Sequence, residues 1–340
     1  MKRKDGIKNI LIGPNEVAGI GYTLTQAFNK IGFKTTKISF KKHPFGYPTG
    51  LYLNLEGKNK ILRWLILISN FIKSLFLYDF FVFIFGTTLL PRNLDLPILK
   101  FFGKKTAMIF CGCDIRCRDL ILKEERKYSV CQECRQECDC EQKRRKIKRI
   151  EKYIDVVFSQ PDYSQLLSRE YEYLWVPIDL DEWQINFVNH KTQIIVHAPS
   201  QREKKGTKYI LGAVERLRRE NYKFDFILLE KLPHHKVKDY LRNSDIVIDQ
   251  LLMGWHGVFA LEAMAWGKPV LCYIREDLKK YSPELPIIST SPENIYENLK
   301  LLIEKSNLRQ ELGRKGRKYV EKYHDSKKIA QKIIDIFENI

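Results

Sequence analysis

The sequence has no apolar run long enough to cross a bilayer. Its most apolar stretch, residues 61–85, is interrupted by Arg63, Asn70, Lys73 and Asp79, whereas a spanning helix needs about 20 mostly apolar residues. A secretion-signal core is also missing, because only a few apolar residues separate the basic start from Gly13 and Pro14. The expected compartment is therefore the cytoplasm. Acidic residues are in short supply, 41 Asp and Glu against 59 Lys and Arg, for a formal net charge of +18. That balance points to an anionic partner: nucleic acid, an acidic membrane face or a phosphate-bearing substrate. The dinucleotide pattern G-x-G-x-x-G is incomplete. Only Gly19 and Gly21 follow the first strand candidate, leaving a tight turn and a ligand contact both open. Cysteine is nearly absent outside one window, with seven of the eight between Cys111 and Cys140.

What is present is an alternation. The 44% apolar fraction is that of a folded chain, and 340 residues suit two domains that each bury a core. Short apolar runs at 8–12, 35–40, 80–85, 106–110 and 154–158 read as strands, with helical periodicity at 22–31 and 59–77. The second half repeats the grammar: strands at 193–197, 224–229 and 246–248, and helices at 207–219 and 234–242. Three further helix patterns close the chain at 292–305, 308–322 and 326–337. The expected class is α/β, two Rossmann-like parallel-sheet domains facing a cleft. The expected domains are 1–180, with a cysteine-rich insert at 111–140, then 181–322, then a terminal helix at 323–340. The 59–77 helix carries Trp64, Leu67, Ile68, Phe71, Ile72 and Leu75 on one side and Lys60, Arg63 and Lys73 elsewhere. Sheet cover is the expectation, and contact with a membrane surface through the basic edge is the rival.

The most informative stretch is 254–274. A loop with Gly254 and Gly257 feeds a short helix containing Glu262. Gly267 stands just past its end, Pro269 blocks continuation, and an apolar strand follows. A helix N-terminus entered through glycine is an anion site, and a carboxylate inside it suits sugar hydroxyls beside the anion. Upstream, Arg202 and Lys205 stand in a basic loop before Gly206, where a guanidinium fork and an ammonium can hold phosphate oxygens.

These residues resemble the nucleotide-binding domain of GT-B glycosyltransferases, the largely retaining group 1 set. Lys205-Gly206 is similar to that family's R-x4-K-G loop. Gly257, Leu261-Glu262-Ala263-Met264-Ala265, Gly267 and Pro269-Val270 resemble its G-x4-E-A-M-A-x-G-x-P-V signature. The first half resembles it more loosely, through the strand at 80–85 with Gly86 and through Gly112-x-Asp114-Ile115-Arg116. The resemblance implies that Glu262 takes the donor ribose. Arg202 and Lys205 would hold the diphosphate, assisted by N–H groups at Gly257 and Val258. Asp114, Arg116 and His256 would stand at the reacting centre, Gly19 and Gly21 on the acceptor-side loop, and the last helix would cross back to the N-terminal domain. It also implies transfer from a nucleotide-diphosphate sugar to a glycan or lipid-linked acceptor, as in cell-surface polysaccharide or glycolipid synthesis, without a catalytic metal. The family's E-x7-E is broken, since Gly254 stands where the first Glu belongs. That sugar contact is then missing or comes from His256 or Asp249. Arg202 stands two residues past the family's Arg position. For Asp114, a helix N-cap and a cleft role are both open.

Cys131-x2-Cys134-x3-Cys138-x-Cys140 offers four thiolates, enough for structural zinc, with Cys113 or Cys117 able to replace one of them. An iron–sulfur cluster and free thiols are the other readings. The rival function class is a zinc-containing nucleic-acid binder, suggested by the basic run at 143–149. No aromatic platform adjoins that run, so nucleic acid is not expected. The run can instead meet an anionic membrane, peripherally on its inner face. A GT-B protein that binds a nucleotide sugar without catalysis is the third reading.

Overall fold

A computed structural model describes residues 9–124 and 126–340. The basic start at residues 1–8, including the first residue of the expected strand at 8–12, lies outside the described residues. The chain forms two compact units.

The first unit comprises 9–117, 138–177 and 326–340. Its elements are β1 (Asn9–Gly13), α1 (Ile20–Lys30), β2 (Lys34–Ser39), β3 (Leu51–Tyr52), α2 (Lys60–Leu77), β4 (Phe80–Ile84), α3 (Asp95–Phe101) and β5 (Lys105–Ile109). Two short helices, α4 (Arg118–Lys123) and α5 (Val130–Glu133), belong to the second unit. The first then resumes with α6 (Cys140–Tyr153), β6 (Val156–Ser159) and β7 (Glu172–Tyr173). Its strands are parallel, in the order β3-β2-β1-β4-β5-β6-β7. β4 is Phe-Phe-Val-Phe-Ile, buried at every position. A strand covered on both faces has no need for alternation, and its neighbours β1 and β5 place it centrally.

The second unit comprises 118–137 and 178–325. It contains β8 (Gln193–His197), α7 (Arg202–Lys205), α8 (Thr207–Arg219), β9 (Phe224–Leu228), α9 (His234–Arg242), β10 (Ile246–Ile248) and α10 (Val258–Ala265). These are followed by β11 (Val270–Cys272), β12 (Ile288–Ser289), α11 (Ile295–Glu304) and α12 (Ser306–Tyr323). The sheet is again parallel, in the order β12-β11-β10-β8-β9. The α/β class with two parallel sheets is thus realised. In α10, Ala260–Ala265 are all buried, which matches its lack of a polar face. α12 approaches closely because it is notched by glycine. A Cβ at Gly313 would lie 2.0 Å from the Gly267 carbonyl oxygen, and one at Gly316 would lie 3.0 Å from Met264 Cγ.

The final helix, α13 (Ser326–Glu338), belongs to the first unit. Its Ile329, Ile333, Ile334 and Phe337 are buried, with the Phe337 ring 3.8 Å from that of Phe80.

Two expectations need correcting. The 111–140 insert does not belong wholly to the N-terminal domain. Residues 118–137 fold with the second unit, because Ile121, Val130 and Cys131 bury against Leu252, and Glu133 accepts from Tyr209 and pairs with Lys208. The helix α2 is also more than sheet cover. Leu67, Phe71 and Leu75 are buried as expected, but Ile68 and Ile72 are 40% and 49% exposed. They join Ile61, Leu65 and Phe76 in a second apolar stripe at helical spacing, open to solvent. No helix among the described residues is long and apolar enough to cross a membrane.

Candidate functional site

In the second unit, the loops after β8, β9 and β10 and the start of α10 carry the polar side chains. Gly206 links α7 to α8 at φ +74, a left-handed conformation suited to glycine, and a Cβ there would lie 3.1 Å from Leu251 Cβ. The Lys205 carbonyl accepts from Leu251 N–H at 3.1 Å, which fixes the loop against the end of β10. His197 secures it further, with Nδ1 2.8 Å from the Ile248 carbonyl and Nε2 2.9 Å from Thr207 Oγ1. The carbonyl can only accept, so Nδ1 carries the proton and Nε2 accepts from Thr207. Burial pushes His197 down to about 4, leaving it neutral.

Lys205 Nζ then lies 2.6 Å from Asp249 Oδ1, and both side chains are nearly removed from solvent. The other carboxylate oxygen, Oδ2, accepts from Gly257 N–H at 2.9 Å. Burial alone would raise the Asp249 carboxyl. The Lys205 ammonium and the Gly257 amide outweigh it and hold the group below the usual carboxylate range. A Cβ at Gly257 would sit 3.1 Å from Asp249 Oδ2 and 3.5 Å from Lys205 Nζ, so a side chain there crowds the pair. One turn into α10, buried Glu262 lies 2.7 Å from His234 Nε2. His256 is buried, and neither ring nitrogen has a partner among the described residues. Desolvation pushes it down to about 4, so it is a neutral imidazole with an open donor and an open acceptor.

The structure therefore groups Lys205, Gly257 and Asp249 around one ion pair, with Val258 opening α10 and Glu262 a turn further on. Arg202 is placed differently. Its Nε donates to Glu230 Oε1 at 2.7 Å, a second bond completes the fork, and half of the side chain is exposed. Gly254 has φ +83, and a Cβ there would lie 2.5 Å from Arg275 Cδ, so no side chain fits unless Arg275 moves. Arg275 is paired with Asp277 through Nε and Nη2, while its buried Nη1 has no partner among the described residues. Of the two substitutes expected for the missing Glu, Asp249 is committed to Lys205 and Gly257, and His256 has capacity left.

In the first unit, the Gly19–Gly21 turn is filled from within. The Glu16 carboxylate accepts from the N–H groups of Val17, Gly21 and Tyr22 and pairs with Lys37 at 3.1 Å. The α1 start thus has its anion supplied by the chain, which favours the tight-turn reading. Asp114 accepts from Cys111 N–H at 3.2 Å in its own turn. Burial raises it to about 6, opposed by backbone donors and by the charge of Lys146. Arg116 is buried, 2.9 Å from Asp162 and over the Tyr163 ring, which makes it a brace beneath the loop.

A cavity of about 980 Å³ also opens in this unit. Lys41, Lys60, Arg63 and Arg92 line it together with Arg145, Lys146 and Arg149 of α6, against one carboxylate, Glu56. The apolar part of its wall includes Trp64 and Leu67 of α2. The run at 143–149 is therefore not only a solvated face, since part of it lines a pocket.

The two parallel sheets, with a buried polar cluster at strand ends, define a two-domain α/β protein of the GT-B class. Residues 194–335 match the glycosyl transferase-like family model. No curated protein matches the sequence. Among solved structures, sucrose-phosphate synthase from Thermosynechococcus elongatus is similar, with a TM-score of 0.68 and 13% identity over 98% of each chain. The catalytic domain of starch synthase IV from Arabidopsis thaliana, bound to ADP and acarbose, has a TM-score of 0.62 and 11% identity, covering 98% of this chain and 99% of that one. A UDP-GlcNAc 2-epimerase from Neisseria meningitidis, bound to UDP-GlcNAc, has a TM-score of 0.54 and 13% identity, covering 98% and 99%. At such identities the likeness establishes the fold; an epimerase among the neighbours illustrates that the fold alone does not fix a reaction.

Proposed function

We propose that the chain transfers a sugar from a nucleotide-diphosphate donor, held by the second unit, to a glycan or lipid-linked acceptor. The carrying observation is that buried Glu262, held by His234, follows by one helical turn the Lys205–Asp249–Gly257 cluster at the start of a helix inside the family-matched region. ADP and UDP-GlcNAc in the neighbouring structures support a nucleotide donor. Glu262 accepts from the ribose hydroxyls. Lys205 and the first α10 amides, which no helix carbonyl can reach, meet the diphosphate. Arg202 exchanges Glu230 for phosphate, a substitution of one anion for another. Neutral His256 hydrogen-bonds a hydroxyl of the transferred sugar. The bond from C1 to the diphosphate oxygen breaks as the bond from C1 to the acceptor oxygen forms, with retention. The acceptor proton passes to the departing phosphate, and the cations offset the charge that gathers there.

The acceptor reading rests on the first unit. A cavity with seven cations and one carboxylate suits a phosphate-bearing acceptor, and the exposed stripe of α2 suits a lipid surface. Lys60, Arg63 and Lys73 on the same helix favour acidic headgroups. The chain then works peripherally on an anionic membrane, as cell-surface polysaccharide or glycolipid synthesis requires. Titration calorimetry with nucleoside diphosphates tests the donor site: binding weakened by Glu262→Gln and Lys205→Ala is expected, and no binding by the unaltered chain refutes it.

A further inference from the structure

We propose that the first unit binds a zinc ion through Cys117, Cys138 and Cys140, a site that takes no part in the sugar-transfer chemistry itself. Cys138 and Cys140 Sγ are 3.7 Å apart. A tetrahedral ion with bonds of about 2.3 Å requires its sulfurs to stand about 3.8 Å apart, so these two already lie along one edge of the tetrahedron. The sulfur atoms of Cys117 and Cys140 and a carboxylate oxygen of Asp119 are within 4.8 Å of one another. Cys117 and Cys140 are buried, and Cys138 is half-buried.

The surroundings favour thiolates. Cys140 is the first residue of the 14-residue α6, where the helix dipole stabilises negative charge, and Asp139 caps that end by accepting from Gln142 N–H. Lys143 Nζ stands 3.0 Å from Cys138 Sγ and 3.0 Å from the Arg116 carbonyl, a cationic donor to the sulfur of the kind that supports a metal ligand from outside. A set of soft sulfurs selects zinc over magnesium, calcium or manganese.

This set differs from the four cysteines grouped by spacing. Cys131 and Cys134 belong to the second unit, where Cys131 is packed with Ile121, Val130 and Leu252. The ion instead clips the loop after β5, which carries Asp114 and Arg116, to the start of α6, whose Arg145, Lys146 and Arg149 line the basic cavity. Its role is to hold that wall in place.

The test is metal analysis of the full chain purified under reducing conditions with zinc supplied. About one zinc per chain is expected, falling toward zero in Cys138→Ser and Cys117→Ser and unchanged in Cys134→Ser. Should the serine variants fail to fold, the unaltered chain is loaded with cobalt(II). Thiolate-to-cobalt charge transfer with the d–d bands of a tetrahedral site is expected. A folded chain that takes up neither ion overturns the proposal. So does iron in place of zinc, or zinc lost in Cys134→Ser but retained in Cys117→Ser.

Discussion

Lys205→Met removes the ammonium from a buried pair and leaves Asp249 with only the Gly257 amide and, at 3.8 Å, the Cys272 thiol as donors. The Asp249 side chain is fully buried and that of Lys205 is 11% exposed. Breaking a pair so far from water costs about 3–5 kcal/mol, mostly as an uncompensated charge. For a unit of this size that is a fall of roughly 6–20 °C in melting temperature, at 2–4 °C per kcal/mol. The pH dependence follows from the shifts. In the unaltered chain, Asp249 is held below its ordinary 3.8. Its contribution is therefore present above that pH and is lost as pH falls through the lower folded value. In the variant, burial outweighs the remaining Gly257 amide and raises the carboxyl, so the deficit is largest near neutrality and shrinks in acid as Asp249 takes a proton. Adding Asp249→Asn removes the stranded charge and recovers most of the loss, without restoring nucleotide binding. Urea unfolding followed by tryptophan fluorescence at pH 7.5 and pH 5 reads all three chains, with Trp255 reporting from beside the cluster. A single-variant loss under about 1 kcal/mol, the value of an exposed pair, refutes the reasoning. So does a double variant no more stable than the single one.

Glu262→Gln removes a charged acceptor for two hydroxyls, and calorimetry should show nucleotide binding weakened by roughly 10–100-fold, at 1.5–3 kcal/mol for such bonds. His197 and His256 both lie near 4 in the folded chain against an ordinary 6.5. Their neutral forms favour folding above 6.5, and that contribution declines as pH falls from 6.5 toward 4, by up to about 3 kcal/mol each. Urea midpoints measured across that range should fall with pH, and less steeply in His197→Gln. Gly254→Glu, which supplies the carboxylate that the E-x7-E pattern has and this chain lacks, should destabilise rather than improve the site by about 1–3 kcal/mol, because φ is +83 and Arg275 fills the space. Phe76→Asp with Ile72→Asp should abolish binding to anionic vesicles in flotation assays while leaving the melting temperature nearly unchanged.

Much of the fold was legible because its signals are local. The period-two and 3.6-residue patterns, the Gly and Pro stops around α10 and the buried β4 run need no distant information. What escaped depends on partners far along the chain. Glu230 claims Arg202 across 28 positions and His234 reaches Glu262 across 28. Asp249 meets Lys205 across 44. Spacing cannot foresee such pairs, although a His or Asp at a strand end is the signal that would have drawn attention to them. Glu16 was overlooked because a carboxylate five residues before Gly21 reads as an ordinary loop residue until the loop folds back. The second apolar stripe on α2 escaped because Ile68 and Ile72 fit a broad core-facing arc as well as an open one. The cysteines were grouped by proximity in sequence, and the division of the insert between two units regroups them.

The most direct test of the central claim is a screen of nucleotide-diphosphate sugars against the full chain, reading melting temperature and release of free nucleoside diphosphate. The account predicts that at least one donor raises the melting temperature and turns over when a lipid-phosphate or glycan acceptor is present, and that Glu262→Gln and Lys205→Ala lose both effects. A folded chain that no nucleotide sugar stabilises and that releases no nucleoside diphosphate contradicts it.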